Sequence, residues 1–309
     1  MGADKPAPQI RKREKQITMT LRVNTTLVSK IAYSIDLLKR AESMALKMSD
    51  KGFFLAFSGG KDSQCLYHIA KMAGVKFEAH YSLTTLDPPE LVRFIKRNYP
   101  DVIIDRPKRT FLQLCKDKGM LPTRVARFCC AELKESSGAG MVTLIGIRRA
   151  ESSKRAKRNE VELGGHKFSG TLDQFNRERE VEEQCMAKYG KADKIIVAPI
   201  IEWSDNDVWD FIKGNNIEYC KLYDEGWKRI GCLFCPMARK SEMRMCKERY
   251  PKYKEAIIRT IHHIRNKPIG GMWETIPNLT DEQVFEWWTS KKGLKQWYAE
   301  NVMQQKLDL

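Results

Sequence analysis

A mostly parallel, five-stranded α/β sheet with helices on both faces is the fold class this sequence predicts. Short apolar runs alternate with longer amphipathic stretches between residues 53 and 200. Glycine and proline mark the joins between them. Residues 53–63, FFLAFSGGKDS, pass directly from a buried-strand pattern into a glycine-rich, charged loop, a juxtaposition that belongs at the carboxyl end of a parallel strand.

Residues 1–24 read as a flexible basic arm containing Arg11, Lys12 and Arg13. Residues 25–49 predict a helix: Thr25 and Thr26 supply a cap, and Leu27, Ile31, Ile35, Leu38 and Met44 recur at helical spacing. FFLAF (53–57) is the first strand and residues 61–74 a helix closed by Gly74. Residues 76–83 are the second strand, followed by a helix over 88–100 with proline in its first turn and Pro100 beyond its end. VIID (102–105), VTLIGI (142–147) and DKIIVAPI (193–200) complete the five strands. Residues 148–192, dense in charge and glycine, read as one long loop. A short helix over 204–214 starts at an N-cap Ser204, one or two basic helices lie within 239–265, and residues 280–301 are aromatic-rich and helical from Thr280. The expected organisation is an arm (1–24), a nucleotide-binding domain carrying a cysteine cluster (25–240) and a helical C-terminal extension (241–309).

Composition narrows the function classes. Hydrophobic residues are 42% of the 309, enough for a substantial core. No stretch approaches the roughly 18 consecutive apolar residues of a membrane span, and the basic start has no apolar leader, so a cytoplasmic protein without a membrane partner is expected. Lys and Arg total 55 against 39 Asp and Glu, a net charge of +16 that favours anionic partners: nucleotides, nucleic acid or acidic proteins. The nine cysteines of a reducing compartment point to metal or catalysis rather than to disulfides.

The loop Ser58-Gly59-Gly60-Lys61-Asp62-Ser63 has the chemistry of a polyphosphate cradle. A helix start offers N–H groups and a positive dipole end. Glycines admit a phosphate close to the backbone, Lys61 adds charge and the serines add donors. It is shorter than the G-x-x-x-x-G-K-[ST] loop, and a fortuitous turn is the alternative. Two further stretches pair cysteines: RFCCAELK holds Cys129 and Cys130, and RIGCLFCP holds Cys232 and Cys235 in C-x-x-C spacing. Four thiolates suit an iron–sulfur cluster or a tetrahedral zinc, and Arg127, Lys134, Arg229 and Arg239 would stabilise them. Buried cysteines with no metal are the alternative. Cys65, Cys115, Cys185, Cys220 and Cys246 are isolated.

Taken in order, SGGKDS, CC-x3-K and GC-x-x-CP resemble the phosphoadenosine phosphosulfate reductase family of the adenine-nucleotide alpha-hydrolase superfamily, including its iron–sulfur members such as DNA phosphorothioation sulfurtransferases. GIRRAESSKRA (146–156), PIIEWSDNDVWDFIK (199–213) and KLYDEGWKRIGCLFCP (221–236) are similar to further segments of that family, so the resemblance spans about residues 50–240. The resemblance implies an adenine-nucleotide alpha-hydrolase-like sheet. It assigns Ser58, Gly59, Gly60, Lys61, Asp62, Ser63, Arg148 and Arg149 to the phosphates, Cys129, Cys130, Cys232 and Cys235 to a [4Fe-4S] cluster with zinc as the alternative, and Lys61 and Lys134 to catalysis. Leu133 stands where the reductases usually carry arginine. A second departure is that no cysteine occurs among the residues after Cys246, where the reductases place their attacking thiol.

Three functions follow as expectations. The first is ATP cleavage to AMP and pyrophosphate, with Mg²⁺, to activate an acceptor for sulfur transfer, the acceptor being DNA or tRNA and the sulfur coming from a cysteine desulfurase or another donor. The second is reduction of adenylyl sulfate or its 3′-phosphorylated form. The third is a non-catalytic module that binds nucleotide or nucleic acid. Arg11–Arg13 and the aromatic Trp287, Trp288, Trp297 and Tyr298 fit a nucleic-acid acceptor, with ordinary helix packing as the alternative for the aromatics.

Overall fold

The computed structural model describes residues 8–135, 137–163, 168–182, 194–266 and 279–303, with side chains described from residue 26 onward and not for 178–182. Cys185 and the side chains of Arg11–Arg13 lie outside the described residues. The chain divides into two compact units: Met1–Phe57, Lys61–His80 and Gly138–Tyr219 form one, and Ser58–Gly60, Tyr81–Ser137 and Cys220–Leu309 form the other. These units interleave along the sequence.

Seven strands form one sheet in the order β3-β2-β1-β4-β7-β5-β6, with β1 at Phe53–Ala56, β2 at Phe77–Ser82, β3 at Ile103–Asp105, β4 at Val142–Ile145, β5 at Val161–Leu163, β6 at Phe168–Gly170 and β7 at Ile195–Val197. The pairs β1–β2, β1–β4 and β4–β7 are parallel, with Phe53 opposite Phe77 and Leu55 opposite Leu144. Pairs β5–β7 and β5–β6 are antiparallel. The sheet is therefore mostly parallel, but five strands is corrected to seven among the described residues. The two additional strands lie in 148–192, the stretch read as a loop. Each is three residues long, too short for alternation to stand out; β5 takes its place from pairing with β7, and β6 from pairing with β5.

In the first unit α1 (Pro8–Met48) buries Leu37, Leu38 and Ala41, and α2 (Lys61–Ala73) buries Leu66, Ile69 and Ala70; β1 contributes Phe53 and Leu55 to the same core. The helix expected over 25–49 thus begins at Pro8, and the segment read as a flexible arm is helical from there. Lysine, arginine, glutamate and glutamine are good helix formers, so charge alone does not oppose a helix. Helix α6 (Leu172–Glu182) follows β6, and α7 (Asp205–Gly214) follows β7 with Ser204 as N-cap: its hydroxyl accepts from Asp207 N at 3.1 Å while Asp207 accepts from Ser204 N at 2.6 Å. Two side chains of α1 brace that approach. Lys30 pairs with Asp207 at 2.5 Å, and Ser34 donates to Pro199 O at 2.7 Å while accepting from Trp203 Nε1 at 3.2 Å.

The second unit holds α3 (Pro89–Asn98), α4 (Phe111–Lys118), α5 (Phe128–Cys130) with a following π turn (Ala131–Glu135), α8 (Lys240–Arg249), α9 (Pro251–Arg265), α10 (Asp281–Ser290) and α11 (Leu294–Tyr298). Leu91, Ile95, Phe234, Ile257, Ile261 and Phe285 are buried there. The C-terminal helix expected over 280–301 is broken at Lys291, which adopts φ 66°. No helix among the described residues is long and apolar enough to cross a membrane.

Candidate functional site

The strand order reverses at β1: β2 lies on one side of it and β4 on the other. Ligand crevices in open parallel sheets lie beyond the carboxyl ends of strands at such a switch point. The first unit delivers charged side chains there from three successive strand ends. Lys61 and Asp62 open α2 after β1, Arg148 follows β4, and Asp205 opens α7 after β7.

These four residues form one network. Lys61 Nζ lies 2.7 Å from Asp205 Oδ1 and 3.4 Å from Asp62 Oδ1. Arg148 Nε donates to Asp62 Oδ1 at 2.6 Å, Nη2 to Asp205 Oδ1 at 3.0 Å and Nη1 to the Trp203 carbonyl at 3.4 Å. The side chains of Lys61 and Arg148 are only 6% and 3% exposed, whereas Asp205 is 62% exposed. Burial works against the Arg148 charge, but Asp62 and Asp205 more than restore it and hold its pKa above the usual value. Burial likewise opposes the Asp205 charge, and the bonds from Lys61 and Arg148 outweigh it and keep that carboxyl below its usual range.

Local packing explains the glycines. Gly146, between β4 and Arg148, passes so close to α2 that a Cβ would stand 2.9 Å from Asp62 O and 3.1 Å from Ser63 N. In the second unit, Gly59 has φ +69°, and a Cβ there would stand 2.6 Å from Ile95 Cδ1. Its glycine serves backbone conformation and packing, in addition to any approach by a phosphate. Gly60 N donates to Ser58 Oγ at 3.4 Å, and Ser58 is exposed. Ser63 is buried. Arg149 is not part of the Lys61 network: its guanidinium donates to Arg158 O at 2.9 Å, to Asn159 Oδ1 at 3.0 Å and to Glu202.

The second unit gathers the paired cysteines. Cys129, Cys130, Cys232 and Cys235 line one cavity together with Leu86, Phe111, Lys134 and Pro236. Arg127 Nη2 approaches Cys130 Sγ at 3.3 Å. A hydrogen bond from Cys129, together with Arg127 and Lys134, outweighs burial and pulls the Cys130 thiol down to about 5, while Cys129 is pushed up by that same bond and by burial. Lys134 lines the cavity and is exposed, with the protein crowded around it. That environment opposes its charge, but Cys232 and Asp87 more than compensate and hold it at about 12. Asp87 is buried and accepts from Thr84 N at 2.7 Å and Thr84 Oγ1 at 2.9 Å. Phe234, inside the C-x-x-C loop, has φ 53°, a conformation that costs a bulky residue free energy and that clusters at functional sites. Leu233 N bonding to Leu86 O at 2.7 Å and the Phe234 ring packing on Phe285 at 5.5 Å hold it there.

Among the described residues no three His, Cys, Asp or Glu side chains gather tightly enough to hold a single metal ion. A lone tetrahedral zinc needs its sulfurs about 2.3 Å from one point. Four soft thiol donors around one cavity, with cationic neighbours, are a donor set of the kind that an iron–sulfur cluster or a zinc takes.

Of the residues singled out in the sequence, Lys61, Asp62 and Arg148 come together in one unit, and the four cysteines and Lys134 in the other. Asp205 was missed: it lies within a quoted segment, but one aspartate among three in SDNDVWD carries no distinguishing signal. Asp87 was missed because a single aspartate before two prolines reads as ordinary turn chemistry. The C-terminal aromatics are engaged in packing: Trp288 Nε1 donates to Pro122 O at 2.7 Å, Trp287 Nε1 to Lys292 O at 3.2 Å, and Trp297 is buried.

Residues 52–238 match the family model described as phosphoadenosine phosphosulfate reductase domain. An uncharacterized protein of Methanocaldococcus jannaschii is 28% identical over 251 residues, 78% of this chain and 55% of that protein. An adenosine 5′-phosphosulfate reductase of Oceanobacillus iheyensis is 27% identical over 154 residues, 47% of this chain and 54% of the reductase. The chain spans about half the length of the curated relatives it matches. Among solved structures, the FMN adenylyltransferase of Candida glabrata is similar with a TM-score of 0.44 and 14% identity, covering 68% of this chain and 62% of that one, a likeness too slight to carry an argument about chemistry.

Proposed function

The chain belongs to the phosphoadenosine phosphosulfate reductase domain family, and from that premise we propose that it cleaves ATP to AMP and pyrophosphate to activate an acceptor for sulfur transfer. The observation that supports this most directly is the pair of buried cations, Lys61 and Arg148, at the carboxyl ends of the neighbouring parallel strands β1 and β4. Two fixed cations in a site screened from water stabilise charge that grows on a departing pyrophosphate. In the proposed reaction an acceptor oxygen forms a bond to the α-phosphorus as the α–β bridging P–O bond breaks. Pyrophosphate leaves toward Ser58–Ser63, Lys61 and Arg148. A hydrosulfide, released from the donor persulfide by a reducing thiol, then bonds to the acceptor as the acceptor's bond to the adenylylated oxygen breaks, and AMP leaves with that oxygen. Asp62 would be the carboxylate that meets Mg²⁺ arriving with ATP. Cys129, Cys130, Cys232 and Cys235 would hold a [4Fe-4S] cluster, whose chemistry when bound is to carry electrons or sulfide. Lys134, beside Cys232, balances the charge of the thiolates. The net charge of +16 supports DNA or tRNA as the acceptor, with a cysteine desulfurase or comparable donor supplying the sulfur.

Reduction of a sulfonucleotide is the second reading, favoured by the relatives named as reductases. It needs a mobile thiol. Outside the four paired cysteines, each described cysteine — Cys65, Cys115, Cys220 and Cys246 — is buried, and burial pushes its thiol up in every case.

The test is pyrophosphate release from ATP by anaerobically purified protein, with and without nucleic acid. Release that falls by at least about a hundredfold in Lys61→Ala, the order lost with one electrostatic stabiliser, is the expected result. Sulfite release from adenylyl sulfate with no pyrophosphate from ATP would replace this reading with the second.

A further inference from the structure

A single oxygen, Asp205 Oδ1, accepts from Lys61 Nζ at 2.7 Å and from Arg148 Nη2 at 3.0 Å. An anionic oxygen held between an ammonium and a guanidinium is also what a bound phosphate presents. The other carboxylate of the network differs in its setting. Asp62 takes the Nε edge of Arg148 at 2.6 Å and is 23% exposed, whereas Asp205 is 62% exposed and covers the two cations from the solvent side.

Asp205 is also not required to cap its helix. Ser204 and Asp207 form the capping box of α7, and Asp207 is further tied to Lys30. Released from the two cations, the Asp205 carboxylate would still stand in the first turn of α7, where the helix dipole favours negative charge. Asp205 stands on the exposed side of the two cations, so an incoming anion reaches them only by displacing its carboxylate.

We propose that Asp205 is a specificity-determining competitor: its carboxylate occupies the position of a phosphate oxygen between Lys61 and Arg148, and only a polyphosphate able to engage both cations displaces it. The inference rests on the reading of this site as a polyphosphate site. In this arrangement Asp205 keeps the cations neutralised against small anions and raises the threshold for binding.

Calorimetric titration of the full chain with inorganic pyrophosphate, without divalent metal, tests it. Asp205→Asn keeps the side-chain size and removes the charge, and is expected to bind pyrophosphate at least about tenfold more tightly than wild type, equivalent to about 1.4 kcal/mol. Asp205→Glu restores the carboxylate and is expected to bind as wild type does. Unchanged or weaker binding by Asp205→Asn, or tighter binding by Asp205→Glu as well, overturns the proposal. If wild type binds and Lys61→Ala does not, while Asp205→Asn is unchanged, the competitor role alone fails and the phosphate site stands. If neither wild type nor Asp205→Asn binds pyrophosphate, the phosphate reading falls and the competitor role with it.

Discussion

Gly146 shows how a single missing methyl group positions two charged side chains. It follows β4 immediately and precedes Arg148 by two residues, and it lies against the backbone of Asp62 and Ser63. An added Cβ at 2.9 Å from Asp62 O would push the start of α2 away from β4. Gly146→Ala is therefore expected to destabilise the protein by about 1–3 kcal/mol, the usual cost of overpacking, and to weaken pyrophosphate binding because Lys61 and Arg148 separate. Urea midpoints and the titration described above check the two effects. Wild-type affinity in a stable Gly146→Ala protein would show that the spacing is not critical. The candidacy of Lys61, Asp62 and Arg148 was readable from their types: a lysine and an aspartate at a helix start, and an arginine after a strand. The network that joins them was not readable, because Asp205 lies 57 residues from Arg148 and 144 from Lys61. Nor did two adjacent arginines reveal that one turns into the network while the other turns to Glu202 and Asn159.

Helix α1 has a role that its sequence does not announce. Its amphipathic pattern indicated that one face is buried, but not that Lys30 and Ser34 on it hold the segment leading into α7. Burial raises the Asp207 carboxyl, while the Lys30 bond and the Ser204 N–H and hydroxyl outweigh it, so its folded pKa lies below the usual value. A carboxyl depressed on folding contributes stability that is fully present above its unfolded pKa of about 4. That contribution is lost as pH falls through the lower, folded value. Lys30→Met is expected to reduce stability near neutral pH and to flatten the loss of stability below about pH 4, because less remains to be lost. Acid titrations of the urea midpoint on both proteins check this, and parallel curves would show that the pair is not linked to folding. The short strands β5 and β6 were missed for a related reason. Three-residue strands owe their conformation to the neighbour they pair with, so the pattern within the strand is too weak to read.

The Lys61 network lies in one unit, and the thiol cavity lies in the other together with Ser58–Gly60. Replacing both Cys232 and Cys235 by serine is accordingly expected to abolish iron content and visible absorption in anaerobically purified protein, while pyrophosphate binding stays within about twofold of wild type. Loss of both properties together would show that the thiol cavity supports the phosphate site directly. Retention of iron would remove the cysteines from the cofactor's ligand set.

The sequence by itself determined the fold class, the family and the residue types of both sites, because periodicity, turn residues and ordered short motifs are local along the chain. Tertiary structure alone decided which charges meet. Lys61, Asp62, Arg148 and Asp205 come from the ends of three strands made neighbours by crossovers, and an interaction between side chains that far apart in sequence exists only once the sheet has set their distance.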